Sequence, residues 1–130
     1  FIERGIQLMH IHSEFGIAAA AVAAAQELGI PVVHTIHTFF WQTQWPIQRP
    51  LGWGTPLYHK FVTGLEPSRE VLADEPGNSA LRNMTLTVAR QVDSIISPSS
   101  HQAARLAEAG LGPITVIPNT MAAPITMVRW

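Results

Sequence analysis

Four short runs carry the side chains able to bind a small polar ligand or to move a proton on it: His12-Ser13-Glu14, His37-Thr38, Ser97-Pro98-Ser99-Ser100 and Pro118-Asn119. An imidazole such as His37 donates or accepts a hydrogen bond and exchanges a proton near neutral pH. A carboxylate such as Glu14 accepts hydrogen bonds from sugar or alcohol hydroxyls. Serines just ahead of a helix, such as Ser13, Ser99 and Ser100, accompany free backbone N–H groups and a partial positive charge, which suits phosphate or carboxylate. A serine that merely caps its own helix explains Ser97, Ser99 and Ser100 as well.

The histidines have a readable spacing. His10 and His12 lie two apart, on one face of a strand, whereas His34 and His37 are three apart and cannot share a face if one strand runs through both. Three of the four can therefore converge. A His-x-His pair at a strand end also opens some metal-hydrolase sites, but a closed metal site needs further ligands of the right geometry. For His10 and His34 the simpler expectation is a histidine hydrogen-bonded inside the core.

The elements that would position these residues alternate. The apolar, β-branched run Ile6–His12 reads as a strand, with Ser13 as the cap of the helix that follows. Seven alanines between Phe15 and Leu28 favour a helix smooth enough to lie close on a sheet, and Gly29 supplies its stop. Val32–Ile36 is the next strand, which completes a right-handed βαβ unit. Residues 38–58 mix Phe39, Phe40, Trp41, Trp45, Trp53 and Tyr58 with three prolines and two glycines, and are expected to be a loop or broken helices. A short helix after Ser68 is expected, then one behind an Asn78 cap with Leu81, Met84, Thr85, Val88 and Val92 at helical spacing. Ser94–Ser97 reads as a buried strand; Pro98 and a serine cap then begin a helix with Ala103, Leu106 and Ala107 inward and Gly110 as its stop, and Ile114–Ile117 is the last strand. The fold class is α/β, an open Rossmann-like parallel sheet with flanking helices, and in such sheets ligands lie beyond the carboxyl ends of the strands. All four polar runs fall there.

Bulk properties bound the partners. The chain has 130 residues, 47% of them hydrophobic, enough for one domain with a sizeable core. Eight basic against nine acidic residues leave no footprint for phosphate neutralisation, so nucleic acid is not an expected partner. No cysteine is present, which excludes a disulfide framework and thiolate zinc sites and fits a reducing, cytoplasmic setting. The most apolar run, Phe15–Ala25, is too short for the roughly 20 residues that span a bilayer.

Four blocks together resemble family 4 glycosyltransferases: His10-Ile-His-Ser-Glu-Phe-Gly16, Gly29-Ile-Pro-Val-Val-His-Thr-Ile-His-Thr38, Asp93-Ser-Ile-Ile-Ser-Pro-Ser-Ser100 and Val116-Ile-Pro-Asn119. The resemblance spans nearly the whole chain. It implies the N-terminal, acceptor-side part of a two-domain GT-B enzyme over residues 1–124, with 125–130 a truncated tail or the start of a linker. It further implies transfer from a nucleotide-sugar donor to a sugar or lipid acceptor with retention at the anomeric carbon, without metal or other cofactor. His37 matches the histidine lining the reaction centre. Ser13, Glu14, Gly16, Thr38, Ser99 and Ser100 match the substrate side, with Glu14 orienting hydroxyls, and Asn119 matches the residue before the interdomain hinge, although Thr120 stands where the family usually has glycine. The Ser-Glu-Phe and His-Thr-x-His-Thr-Phe runs look most like the branch with lipid or phospholipid acceptors, which places the protein at the inner face of a membrane. The aromatic stretch Phe39–Tyr58, with Arg49 and Lys60, suits peripheral membrane association or closure over the acceptor. The family's opening strand and glycine-rich loop would precede Phe1 and its donor-binding domain would follow Pro124, so the isolated chain is expected to be inactive and, with an unpaired sheet edge, poorly soluble. The alternative is a non-catalytic binding module or an inactive remnant.

Overall fold

The computed structural model describes residues 5–42 and 46–120. Trp45 of the aromatic stretch and the tail expected from 125 lie outside the described residues. Along the chain come β1 (Met9–Ile11), α1 (Gly16–Glu27), β2 (Val32–Thr35), a single 3-10 turn (Phe40–Gln42), α2 (Gln48–Thr63), α3 (Pro76–Ala89), β3 (Ser94–Ser97), α4 (Ser100–Glu108) and β4 (Ile114–Val116). The four strands form one sheet in the order β1-β2-β3-β4, every neighbouring pair parallel. This is the Rossmann-like α/β sheet expected from the sequence.

Because the strand order advances in one direction, right-handed crossovers set the described helices on a single face. The register places Ile11 beside His34 and His34 beside Ile95, so these side chains share that face. Two apolar clusters fill it. Ile11 and Val32 pack with Ala18, Val22 and Ala25 of α1 and Val88 of α3. Ile36 and Ile95 pack with Leu86 and Ala89 of α3, Leu106 of α4 and Leu111. Leu86 and Leu106 are fully buried, each worth roughly 1.5–3 kcal/mol of transfer free energy. The alanine-rich helix does lie close on the sheet, and Gly29 and Gly110 end α1 and α4 with φ of 65° and 82°, where a side chain would be strained.

The second quarter of the chain departs from expectation. Residues 48–58, within the stretch 38–58 expected to be a loop or broken helices, belong to the 16-residue α2. Pro50 is tolerated because first-turn N–H groups have no intrahelical acceptor, and the carbonyl that Pro56 leaves unbonded belongs to a glycine, Gly52. The helix is amphipathic: Thr55 and His59 are buried, while Trp53, Leu57, Tyr58 and Phe61 are exposed. Gly52 and Gly77 allow α2 and α3 to touch, since a Cβ on Gly77 would stand 2.9 Å from the Gln48 carbonyl oxygen.

The short helix expected after Ser68 does not form; residues 65–73 are non-helical and cross α3. There the N–H groups of Ser68, Glu70 and Leu72 donate to Thr87 Oγ1 (2.9 Å), Asn83 Oδ1 (3.0 Å) and Ser79 Oγ (3.0 Å). Alternate residues of the segment thus meet polar side chains spaced four apart on the helix, and α3 is buried nearly all round for that reason. The expected Asn78 cap is also displaced: Glu75 holds the cap position, Pro76 the first turn, and Asn78 pairs with Gln48 across to α2.

Candidate functional site

The carboxyl ends of β1 and β2 bring His12 and His37 together. His12 lies one residue past β1 and His37 two past β2, so both rings are freed from the pleat and exposed. One N–H is shared between His12 Nδ1 and His37 Nε2 at 3.0 Å, with the rings stacked 5.2 Å apart at 15°. The His10 ring lies tilted against His12, centroids 4.2 Å apart, and bonds through Nε2 to Thr35 Oγ1 at 2.7 Å. Three of the four strand histidines therefore converge. His10 is exposed rather than a core residue, because strand alternation puts it opposite the helices; partial desolvation, then the neighbouring His12 and His37 imidazoles, hold its pKa below the usual value.

His34 points the other way, into the core, and is fully buried. It was expected to be hydrogen-bonded there, yet neither ring nitrogen has a partner. Glu14 Oε1 lies 3.9 Å from Nε2 and is also without a partner. Desolvation, then the nearby His12, His10 and His37, push the His34 pKa down to about 4. Desolvation raises Glu14 to about 7, against smaller opposing contributions from its own backbone N–H and from Thr38.

Glu14 is thus inside the rim rather than on it, with only 2% of its surface exposed. Thr38 Oγ1 donates to Glu14 Oε2 over a long 3.4 Å, and His59 Nε2–H of α2 donates to the Glu14 carbonyl at 2.7 Å. Gly16 follows on the same turn, where a Cβ would lie 2.7 Å from the Val62 carbonyl oxygen, so its glycine lets α1 start against the end of α2. Ser13 is not the helix cap; Phe15 holds that place without a side-chain bond, and Ser13 Oγ accepts the Phe15 N–H at 3.2 Å. The turn needed to carry Glu14 inward delays the helix by two residues.

On the third strand end, Ser99 caps α4, its Oγ accepting the Gln102 N–H at 3.2 Å, and buried Ser97 contacts Gln102 Oε1 at 3.1 Å. The capping role is therefore present in the geometry. Ser100 is exposed on the first turn of α4. Asn119 is exposed beyond β4 and forms no hydrogen bond to the other site residues among those described. An aromatic stack stands between the second and third strand ends: Phe39 lies parallel to Trp41 at 5.6 Å and edge-on to His101 of α4 at 5.7 Å. His101 and His59 carried no readable signal, the first lying on a serine-capped surface turn and the second inside a stretch without assigned periodicity. No group of three or more His, Cys, Asp or Glu side chains able to hold a metal ion occurs among the described residues.

A family model described as Glycosyltransferase Family 4 matches residues 1–121, nearly the whole chain. The chain belongs to that family. No curated protein and no solved structure matches alongside it. For a family 4 glycosyltransferase the strand-end rim just described is the expected place for a ligand in an open α/β sheet. Glycosyl transfer implies a sugar donor and an acceptor as partners. A groove of about 720 Å³ lies elsewhere, between α2, α3 and the segment crossing α3. It opens beside the exposed stripe of α2. No described helix is long and apolar enough to cross a membrane.

Proposed function

We propose that this family 4 glycosyltransferase moves a hexose from a nucleotide-sugar to a hydroxyl of a lipid or phospholipid acceptor with retention, and that His37 works at the reaction centre. In such a transfer the bond from the anomeric carbon to the phosphate oxygen breaks, the bond to the acceptor oxygen forms on the same face, and the acceptor proton leaves with the phosphate. The observation that carries the assignment of His37 is its exposed ring at the end of β2, oriented by a 3.0 Å bond to His12. One nitrogen is held and the other is left for a hydroxyl of donor or acceptor. Ser13, Thr38, Ser99 and Ser100 stand on the same strand-end rim as substrate contacts, Gly16 lies behind them, and Asn119 would end the domain at its hinge.

The lipid acceptor is supported by α2. Trp53, Leu57 and Phe61 recur every four residues and are 71%, 64% and 89% exposed, a stripe suited to an interfacial position on the cytoplasmic leaflet, with Arg49 on the same helix for the headgroups. The test is transfer from a panel of nucleotide-sugars to lipid and soluble acceptors by the full-length protein, wild type against His37→Ala. Transfer to lipid that is lost in the folded variant supports the reading; transfer unaffected by the substitution removes His37 from it, and no transfer with any pair favours a non-catalytic binding module.

A further inference from the structure

The Glu14–His34 contact is the least satisfied place among the described residues. Glu14 Oε1 and both ring nitrogens of His34 are buried without partners, and an unmade hydrogen bond of this kind costs about 1–3 kcal/mol per group. The orphans are neighbours, 3.9 Å apart, so one proton between Oε1 and Nε2 would serve both. No lysine or arginine forms an ion pair with Glu14 among the described residues. The titratable groups around it are His34 and His37 from β2 and its exit, His10 and His12 from β1 and its exit, and His59 from α2.

We propose that Glu14 is a positioning residue for His37: buried, it shares one proton with His34 Nε2, accepts from Thr38, and so fixes the strand exit on which His37 stands. This rests on the reading of His37 as the residue at the reaction centre. The backbone of Glu14 is pinned by His59, so its carboxyl reaches only two places, the His34 ring below and the Thr38 hydroxyl beside it. With the proton on Oε1, the carboxyl satisfies Nε2 of the ring and leaves Oε2 free for Thr38, the residue next to His37. Without the proton the carboxylate is acceptor-only. It then needs a donor on each oxygen, and the His34 ring must turn its single N–H toward it. Both arrangements conserve hydrogen bonds only when one proton lies between the two groups, and burial puts that proton on the carboxyl rather than the ring.

The test has two arms. In the first, carboxyl carbon and imidazole resonances are followed by NMR against pH in wild type, Glu14→Gln and Thr38→Val. The expected result is a Glu14 midpoint near 7, and displaced His37 ring resonances in Thr38→Val, which removes the donor to Glu14 Oε2 and leaves the Glu14–His34 contact in place. A Glu14 midpoint in the ordinary carboxylate range, or His37 resonances unmoved by both substitutions, overturns the proposal. In the second arm, kcat of the full-length protein is measured against pH. Wild type is expected to lose activity above about pH 7 by roughly tenfold per pH unit. Glu14→Gln should lack that limb because its amide keeps a donor toward His34 and an acceptor toward Thr38. An identical limb in the variant counts against the proposal. Absence of transfer by wild type would sink the transferase reading instead, and the NMR arm would still decide the role of Glu14.

Discussion

Burial of Glu14 beside His34 should leave a mark on stability that pH can read. The Glu14 carboxyl moves from an ordinary 4.5 to about 7 in the folded chain. Folded protein therefore holds a proton that unfolded protein has released, and stability must fall as pH rises through this window. At about 1.4 kcal/mol per pH unit, the loss between pH 5 and pH 8 is about 3 kcal/mol. His34, lowered to about 4, acts in the other direction: its contribution is present above its ordinary 6.5 and is lost as pH falls toward 4. Between these limits folding moves one proton from ring to carboxyl with no net uptake, so the two slopes nearly cancel in wild type. Glu14→Gln removes only the first slope. Urea unfolding of wild type and Glu14→Gln across pH 5 to 8 should show the variant gaining on wild type as pH rises, by about 3 kcal/mol at the upper end. For an m value of about 1.5 kcal/mol/M this is on the order of 2 M in midpoint. If wild type instead gains on the variant with rising pH, folding releases rather than retains a proton at Glu14, and the reasoning fails. A constant gap would show that Glu14 does not titrate in this range.

Other substitutions probe the remaining contacts. His37→Ala should lower transfer by about 10²- to 10⁴-fold while leaving the unfolding free energy within about 0.5 kcal/mol, because the ring is exposed. Gly16→Ala drives a Cβ to 2.7 Å from the Val62 carbonyl oxygen and should cost about 1–3 kcal/mol in urea unfolding. Asn83→Ala leaves the Glu70 N–H without its 3.0 Å partner, which should cost about 1–3 kcal/mol and speed proteolytic cutting between residues 65 and 73. Trp53→Ser with Phe61→Ser should reduce sedimentation with anionic vesicles several-fold and leave the unfolding midpoint unchanged, since both rings face solvent.

The sequence by itself determined the sheet. Alanines, β-branched runs and glycine stops fixed β1, α1, β2, β3, α4 and β4 within a few residues, because hydrophobic period and helix-ending glycines act locally. Strand alternation likewise put His10 and His12 on one face and separated His34 from His37, and the rim of His12, His37 and Ser99 followed from the strand ends. What the sequence could not show was decided by partners distant in the chain. The helix α2 carries prolines and glycines that lower its local propensity, and it is held by packing on α3 through Gly52 and Gly77. The segment after Ser68 is non-helical because Ser79, Asn83 and Thr87 supply its hydrogen bonds from another element. Glu14 carried the mark of a surface ligand-binding carboxylate until the fold placed His34, Thr38 and His59 around it. A carboxyl's charge state depends on its solvent and its neighbours, and both are set by residues 20 to 45 positions away, so only the tertiary structure could turn this acid inward.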